Sequence, residues 1–184
     1  MKKWFIISGV VLLLVGLIIW TYIESSKPLP GQQIADLGRG HVPVGTPIDY
    51  NSNPPTSGKH YEEWAKAGIY NEPKDDRNLV HSLEHGYIIM SYNCDLKTPS
   101  LAPDASLSAQ FQSDDCKKLV SQLTNIYHQK GPHKLIVIPR PNLDSKLALT
   151  AWNRLDKFNI FDQKRMEDFI DAYRDHGPEQ TMEP

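Results

Sequence analysis

Residues 4–23, WFIISGVVLLLVGLIIWTYI, form an uncharged run of 20 mostly apolar positions. Such a run is long enough to cross a hydrocarbon core about 30 Å thick. It divides the chain into parts that must satisfy different solvents. Lys2 and Lys3 precede the run, with Trp4 at one end and Trp20 and Tyr22 at the other. Positive flanks stay on the cytoplasmic side and aromatic residues favour the two interfaces. The pattern predicts a single-pass membrane protein, anchored in the lipid bilayer through residues 4–23, with its N-terminus cytoplasmic and the rest extracytoplasmic. A cleaved signal peptide would have a shorter apolar region and a small-residue cleavage site. Here the run ends in Thr21-Tyr-Ile-Glu24 without that pattern, and no cysteine stands near to accept a lipid.

With Lys2 and Lys3 left out of the 20 basic residues, 18 face 22 acidic ones, a net charge of −4. That balance lacks the basic stripe of a nucleic-acid binder. Cys94 and Cys116 fall in the compartment where thiols are oxidised, so the pair reads first as a disulfide. It would close the segment 95–115, which is rich in Ser, Pro, Ala and Asp and has no helical or strand period. A metal-binding thiolate pair is the weaker alternative, without Cys-x-x-Cys spacing.

Residues 24–40, with Ser25-Ser-Lys-Pro-Leu-Pro-Gly31, read as a linker. The domain is expected over 41–179, with 180–184 as a tail. Prolines at 43, 47, 54 and 55 keep its start extended or turning. Tyr61-Glu-Glu-Trp-Ala-Lys-Ala67 favours a short helix stopped by Gly68. Leu79 to His85 gives one or two helical turns ended by Gly86. Tyr87 to Tyr92, Lys134 to Pro139 and Leu147 to Trp152 read as strands. Cys116 to Lys130 and Asp162 to Asp175 carry helical stripes, the latter with Asp162 as N-cap. The expectation is a small compact α+β domain of short strands packed with two main helices, preceded by the N-terminal transmembrane helix.

The chemistry concentrates in His81-Ser-Leu-Glu-His85-Gly86. Two histidines four apart share a face of a helix, and neutral imidazoles are common ligands for zinc, copper, iron and nickel. His60 follows the stiff Pro54-Pro-Thr-Ser-Gly-Lys59 loop, which can hold a third ligand at fixed distance. His60, His81 and His85 are therefore the expected ligands of one transition-metal ion, copper or zinc. His41 sits among turn residues without an evident scaffold and is left outside the set. Glu84 suits the carboxylate that fixes the tautomer of a ligating imidazole. Met90 is close in sequence, and its thioether would favour copper, although a core role is the commoner use.

His81 to His85 also spells H-x-x-E-H, a zinc-peptidase pattern in which the glutamate activates water. That gives an alternative, a metal-dependent hydrolase with Glu84 as base. Against it, Gly86 would break the helix at once and little chain remains for a substrate cleft. A third possibility is a non-catalytic interaction module with structural histidines, whose side chains would point apart or bond to backbone.

Asn53-Pro-Pro-Thr-Ser-Gly-Lys-His60, Val80-His-Ser-Leu-Glu-His-Gly86, Leu149-Thr-Ala-Trp152 and Gly177-Pro-Glu179 together resemble the DUF3105 family, a domain of unknown function. The resemblance covers about residues 41–179. It implies the domain boundaries and a membrane anchor, and it groups His60, His81 and His85 as one site. It implies no activity.

Overall fold

The computed structural model describes residues 2–25, 28–94 and 113–181, with side chains in the first stretch described at 9 and 12–22. Helix α1 covers Lys2–Ser25. Among the residues so described, no helix is long and apolar enough to cross a membrane. The expected span over 4–23 therefore has a helical backbone here, with Leu12, Leu13, Trp20 and Tyr22 exposed. The sequence feature 95–112 and the tail 182–184 lie outside the described residues.

The remaining elements are β1 (Gln32–Gln33), β2 (Gly68–Ile69), α2 (Asp76–Glu84), β3 (Ile88–Tyr92), α3 (Asp114–Lys130), β4 (Leu135–Pro139), β5 (Leu147–Ala151), β6 (Arg154–Phe158) and α4 (Gln163–Tyr173). They give an α+β fold with one mixed six-stranded sheet in the order β1-β6-β5-β3-β4-β2. β3 and β2 each pair parallel with β4, while β5 runs antiparallel to β3 and to β6. β3, β4 and β5 are buried at every position, so both faces must be apolar and the strands read as continuous hydrophobic runs.

Alternation along β3 sends its residues to two cores. Ile88, Met90 and Tyr92 join Leu123 and Ile126 of α3 and Met166, Phe169 and Ile170 of α4. Ile89 faces the other way, with Tyr87, Ile136 and Ile138, against Leu79 and Leu83 of α2. Each such side chain contributes about 1.5–3 kcal/mol when fully buried, so the two layers fix where α2 sits. Met90 consequently lies on the face opposite α2. Its even offset from Ile88 points it into the α3–α4 core, which removes it from any site built on α2.

Helices α3 and α4 match their predicted spans closely, and Asp162 accepts from Arg165 N as N-cap. Tyr61 to Ala67 is not helical. Its carbonyls are used by α2 instead: Asn78 Nδ2 donates to Glu63 O and Ser82 Oγ to Ala65 O. His81 Nδ1 bonds to Tyr61 O. These tertiary bonds outcompete the i to i+4 ladder of a short isolated helix. The segment read as linker also enters the domain, since β1 pairs with Arg154 and Leu155 of β6. β6 itself is a strand that composition conceals, with three charged residues in five. Its buried Asp156 is held by Arg165, Nε to Oδ2 at 2.7 Å and an amino nitrogen to Oδ1 at 2.6 Å.

Cys94, just after β3, is bonded to Cys116 in the first turn of α3. Closing a loop between residues 22 apart limits the unfolded chain by about 3 kcal/mol. A Cys94→Ser/Cys116→Ser variant is expected to lose stability of that order, read as a lower urea midpoint, with a steeper slope because the unfolded chain is no longer held compact.

Candidate metal centre

The loop before His60 is shaped by Gly58, at φ +123°, where a Cβ would stand 3.1 Å from the Tyr50 ring. Ser57 Oγ accepts from Leu37 N at 3.0 Å. Gly58 N donates to Gly38 O and His60 N to Gly40 O, both at 3.0 Å, and Val42 N donates to His60 O at 2.9 Å. This short parallel ladder is the scaffold that lays His41 beside His60. Helix α2, capped by Asp75, supplies His81 and Glu84 from its last turn and His85 as its C-cap.

Gly86 ends the helix at φ +85°. Its carbonyl accepts from Asp175 N at 2.9 Å, and Glu84 O accepts from Glu179 N at 3.0 Å. Lys134 Nζ holds the same C-terminal strap through Asp175 Oδ1 and Thr181 O, each at 3.0 Å. The strap carries Glu179 to the site, with Oε2 3.7 Å from His85 Nε2. The terminal Gly177-Pro-Glu179 motif thus belongs to the centre, although its spacing from the histidines gives no sign of it.

The rings converge. His41, His60 and His81 stand with centroids 4.8–5.1 Å apart, and His81 and His85 are 4.5 Å apart. Two sets of ligand atoms lie within 4.8 Å of one another: His41, His60, His81 and Glu84, and separately His81, His85 and Glu179. Opposite ligands of an ion are separated by about 4.2 Å, twice a metal–nitrogen bond of about 2.1 Å. Both sets are therefore positioned to hold a metal ion after small side-chain shifts. Of the expected trio, His60 and His81 share the first set, while His85 joins His81 in the second. His41 and Glu84 complete the first set.

Tautomers follow from backbone partners. His60 Nδ1 lies 2.8 Å from Gly58 O and His81 Nδ1 2.8 Å from Tyr61 O. A carbonyl only accepts, so both rings carry their proton on Nδ1. Each Nε2 then presents a lone pair inward, the arrangement typical of ligating histidines. His60 Nε2 is 2.8 Å from Glu84 Oε2, is buried, and makes no hydrogen bond. Two acceptors facing each other at this distance need something between them, either a shared proton or a metal ion. Structural histidines would bond to backbone or diverge; here each bonds to backbone through one nitrogen and converges through the other.

Burial, reinforced by His85 and His60, lowers the His81 pKa to about 4 from an ordinary value of about 6.5. The folded state thus binds this proton less readily than the unfolded chain. In the metal-free protein its contribution to stability is present above pH 6.5 and is lost as pH falls toward 4. An NMR titration of the His81 ring should find it neutral at pH 5.5; a midpoint near 6.5 would contradict the packing described.

A cleft of about 450 Å³, lined by Arg39, Gly40, His41, Glu84 and Glu179, opens beside the histidines. Arg39 reaches Glu84 Oε1 at 3.6 Å and is half exposed. Trp64 closes the other side, its ring 5.0 Å from His85 and 5.6 Å from His81.

Fold and site define an α+β protein with histidine–carboxylate groups placed to take a metal ion. By sequence the chain belongs to the DUF3105 family, described as proteins of unknown function, whose pattern matches residues 41–184. No curated protein and no solved structure gives a significant match. The matched region begins at His41, the first residue of the inner ligand set.

Proposed function

We propose that the chain is a membrane-anchored, extracytoplasmic protein that binds a single transition-metal ion through His41, His60 and His81, with Glu84 as the carboxylate ligand. The observation that carries this reading is the buried pair His60 Nε2 and Glu84 Oε2, 2.8 Å apart with the ring proton committed elsewhere. Three imidazoles and a carboxylate suit a divalent ion. Cu(II) ranks ahead of Zn(II) for such donors by the Irving–Williams order. Neither set contains sulfur, and with Met90 turned to the other core, nothing in them favours Cu(I). The anchor is the apolar helix over 4–23, with Lys2 and Lys3 holding the N-terminus in the cytoplasm.

The test is metal analysis of the full chain, purified in detergent, stripped and reloaded with Cu(II) or Zn(II). One equivalent is expected, with Cu(II) quenching the fluorescence of Trp64 and a Trp64→Phe variant losing most of that quenching. A folded protein that takes up neither ion at any loading contradicts the reading. Protease added to intact cells should remove the domain and spare the anchor.

A further inference from the structure

The two ligand sets share one residue, and that limits what they can hold together. His81 has a single lone pair to give, because its Nδ1 proton is donated to Tyr61 O at 2.8 Å. Bridging two ions would require an imidazolate, with that proton removed and the buried bond broken. The tautomer therefore excludes a bridge through His81, and the two complete sets cannot be filled at once.

Resting on the metal-binding reading above, we propose that the sets are alternative seats for one ion, and that His85 and Glu179 form the exchange seat through which it is taken up and released. The inner seat has four residues, three of them buried, and meets the cleft through His41 and Glu84, whereas the outer seat offers three ligands and so holds the ion less firmly. The outer seat ends on Glu179, whose side chain is 48% exposed on the rim of the cleft. With His81 and His85 ring centroids 4.5 Å apart, the ion can keep His81 as a ligand throughout. His41, His60 and Glu84 are then given up, and His85 and Glu179 taken on, one at a time. Such stepwise substitution avoids moving a bare divalent ion through a low-dielectric interior, whose desolvation is prohibitive. The seats are also mechanically joined, since Glu179 N donates to the carbonyl of Glu84.

The experiment compares the wild-type full chain with Glu179→Gln and His85→Gln, each loaded with Cu(II). It measures ions bound at saturation and the rate of transfer to excess chelator. One ion is expected in all three proteins. Transfer is expected to slow by about 10-fold in both variants, the lower end of what losing a supporting group does to a metal site. Wild-type transfer rates in both variants would overturn the exchange seat and leave the single-site reading standing, whereas two ions bound to the wild type would overturn both. A wild type that binds no ion removes both.

Discussion

His81→Ala is expected to weaken metal binding more than any other single substitution, because His81 is the residue common to both ligand sets. The expected fall in affinity exceeds about 100-fold, since loss of an outer partner of a ligand alone lowers metal affinity about 10–100-fold. His85→Ala, by contrast, leaves the inner set intact and should retain one tightly held ion. The side chain of His81 is buried, and its removal leaves the Tyr61 carbonyl without its ring donor. Leaving a buried acceptor unpaired destabilises by about 1–3 kcal/mol. Affinity and stability must therefore be read separately, by isothermal titration with Cu(II) and by urea unfolding of the stripped protein. If the histidines were structural only, the second measurement would move and the first would show no binding in either protein.

Gly177→Ala should have the largest effect on stability of any glycine substitution in the domain. A Cβ there would overlap the backbone of Glu84 and Gly86, and neither is the movable end of a side chain. The strap must lift away, breaking the bond from Glu179 N to Glu84 O and drawing Glu179 from His85. Core overlaps without relief destabilise by about 3 kcal/mol or more. Gly86→Ala is the companion variant. It places an L side chain at φ +85°, disfavoured by about 1–2 kcal/mol, with its Cβ 2.9 Å from Asp175 Cα. A Gly177→Ala midpoint within error of wild type would show that the strap is not packed as described.

Much of this was legible in the residues, for identifiable reasons. β3, β4 and β5 announce themselves because strands buried on both faces must be continuously apolar. α3 and α4 carry caps and apolar stripes that need no tertiary information. His60, His81 and His85 could be grouped, with Glu84 beside them as an orienting carboxylate, because a stiff loop and a helix end are both marked by glycine and proline. That Glu84 stands with His60 and His81 in one ligand set while His85 falls in the other could not be read. What could not be read depends on partners distant in sequence. His41 belongs to the site through a parallel ladder with His60, and an extended segment of four residues has no pattern of its own. Glu179 arrives on a strap held by Gly86 and Lys134, about 90 residues from His85 by their numbering. β6 hides behind three charges, of which Arg165 pairs with Asp156 and Asp144 with Lys157, while Arg154 lies over the Tyr173 ring. The false helix at 61–67 was favoured by propensity and lost to side-chain donors on α2. Met90 follows from the register of β3, which only the sheet determines.

The direct test of the central claim is to locate the ion. Crystals or a frozen solution of the Cu(II)-loaded full chain should place one scatterer about 2.0–2.1 Å from imidazole nitrogens of His41, His60 and His81, with a carboxylate oxygen of Glu84 at similar range. An ion elsewhere on the chain, or a loaded protein whose His60 Nε2 still faces Glu84 with nothing between them but a proton, would contradict the account.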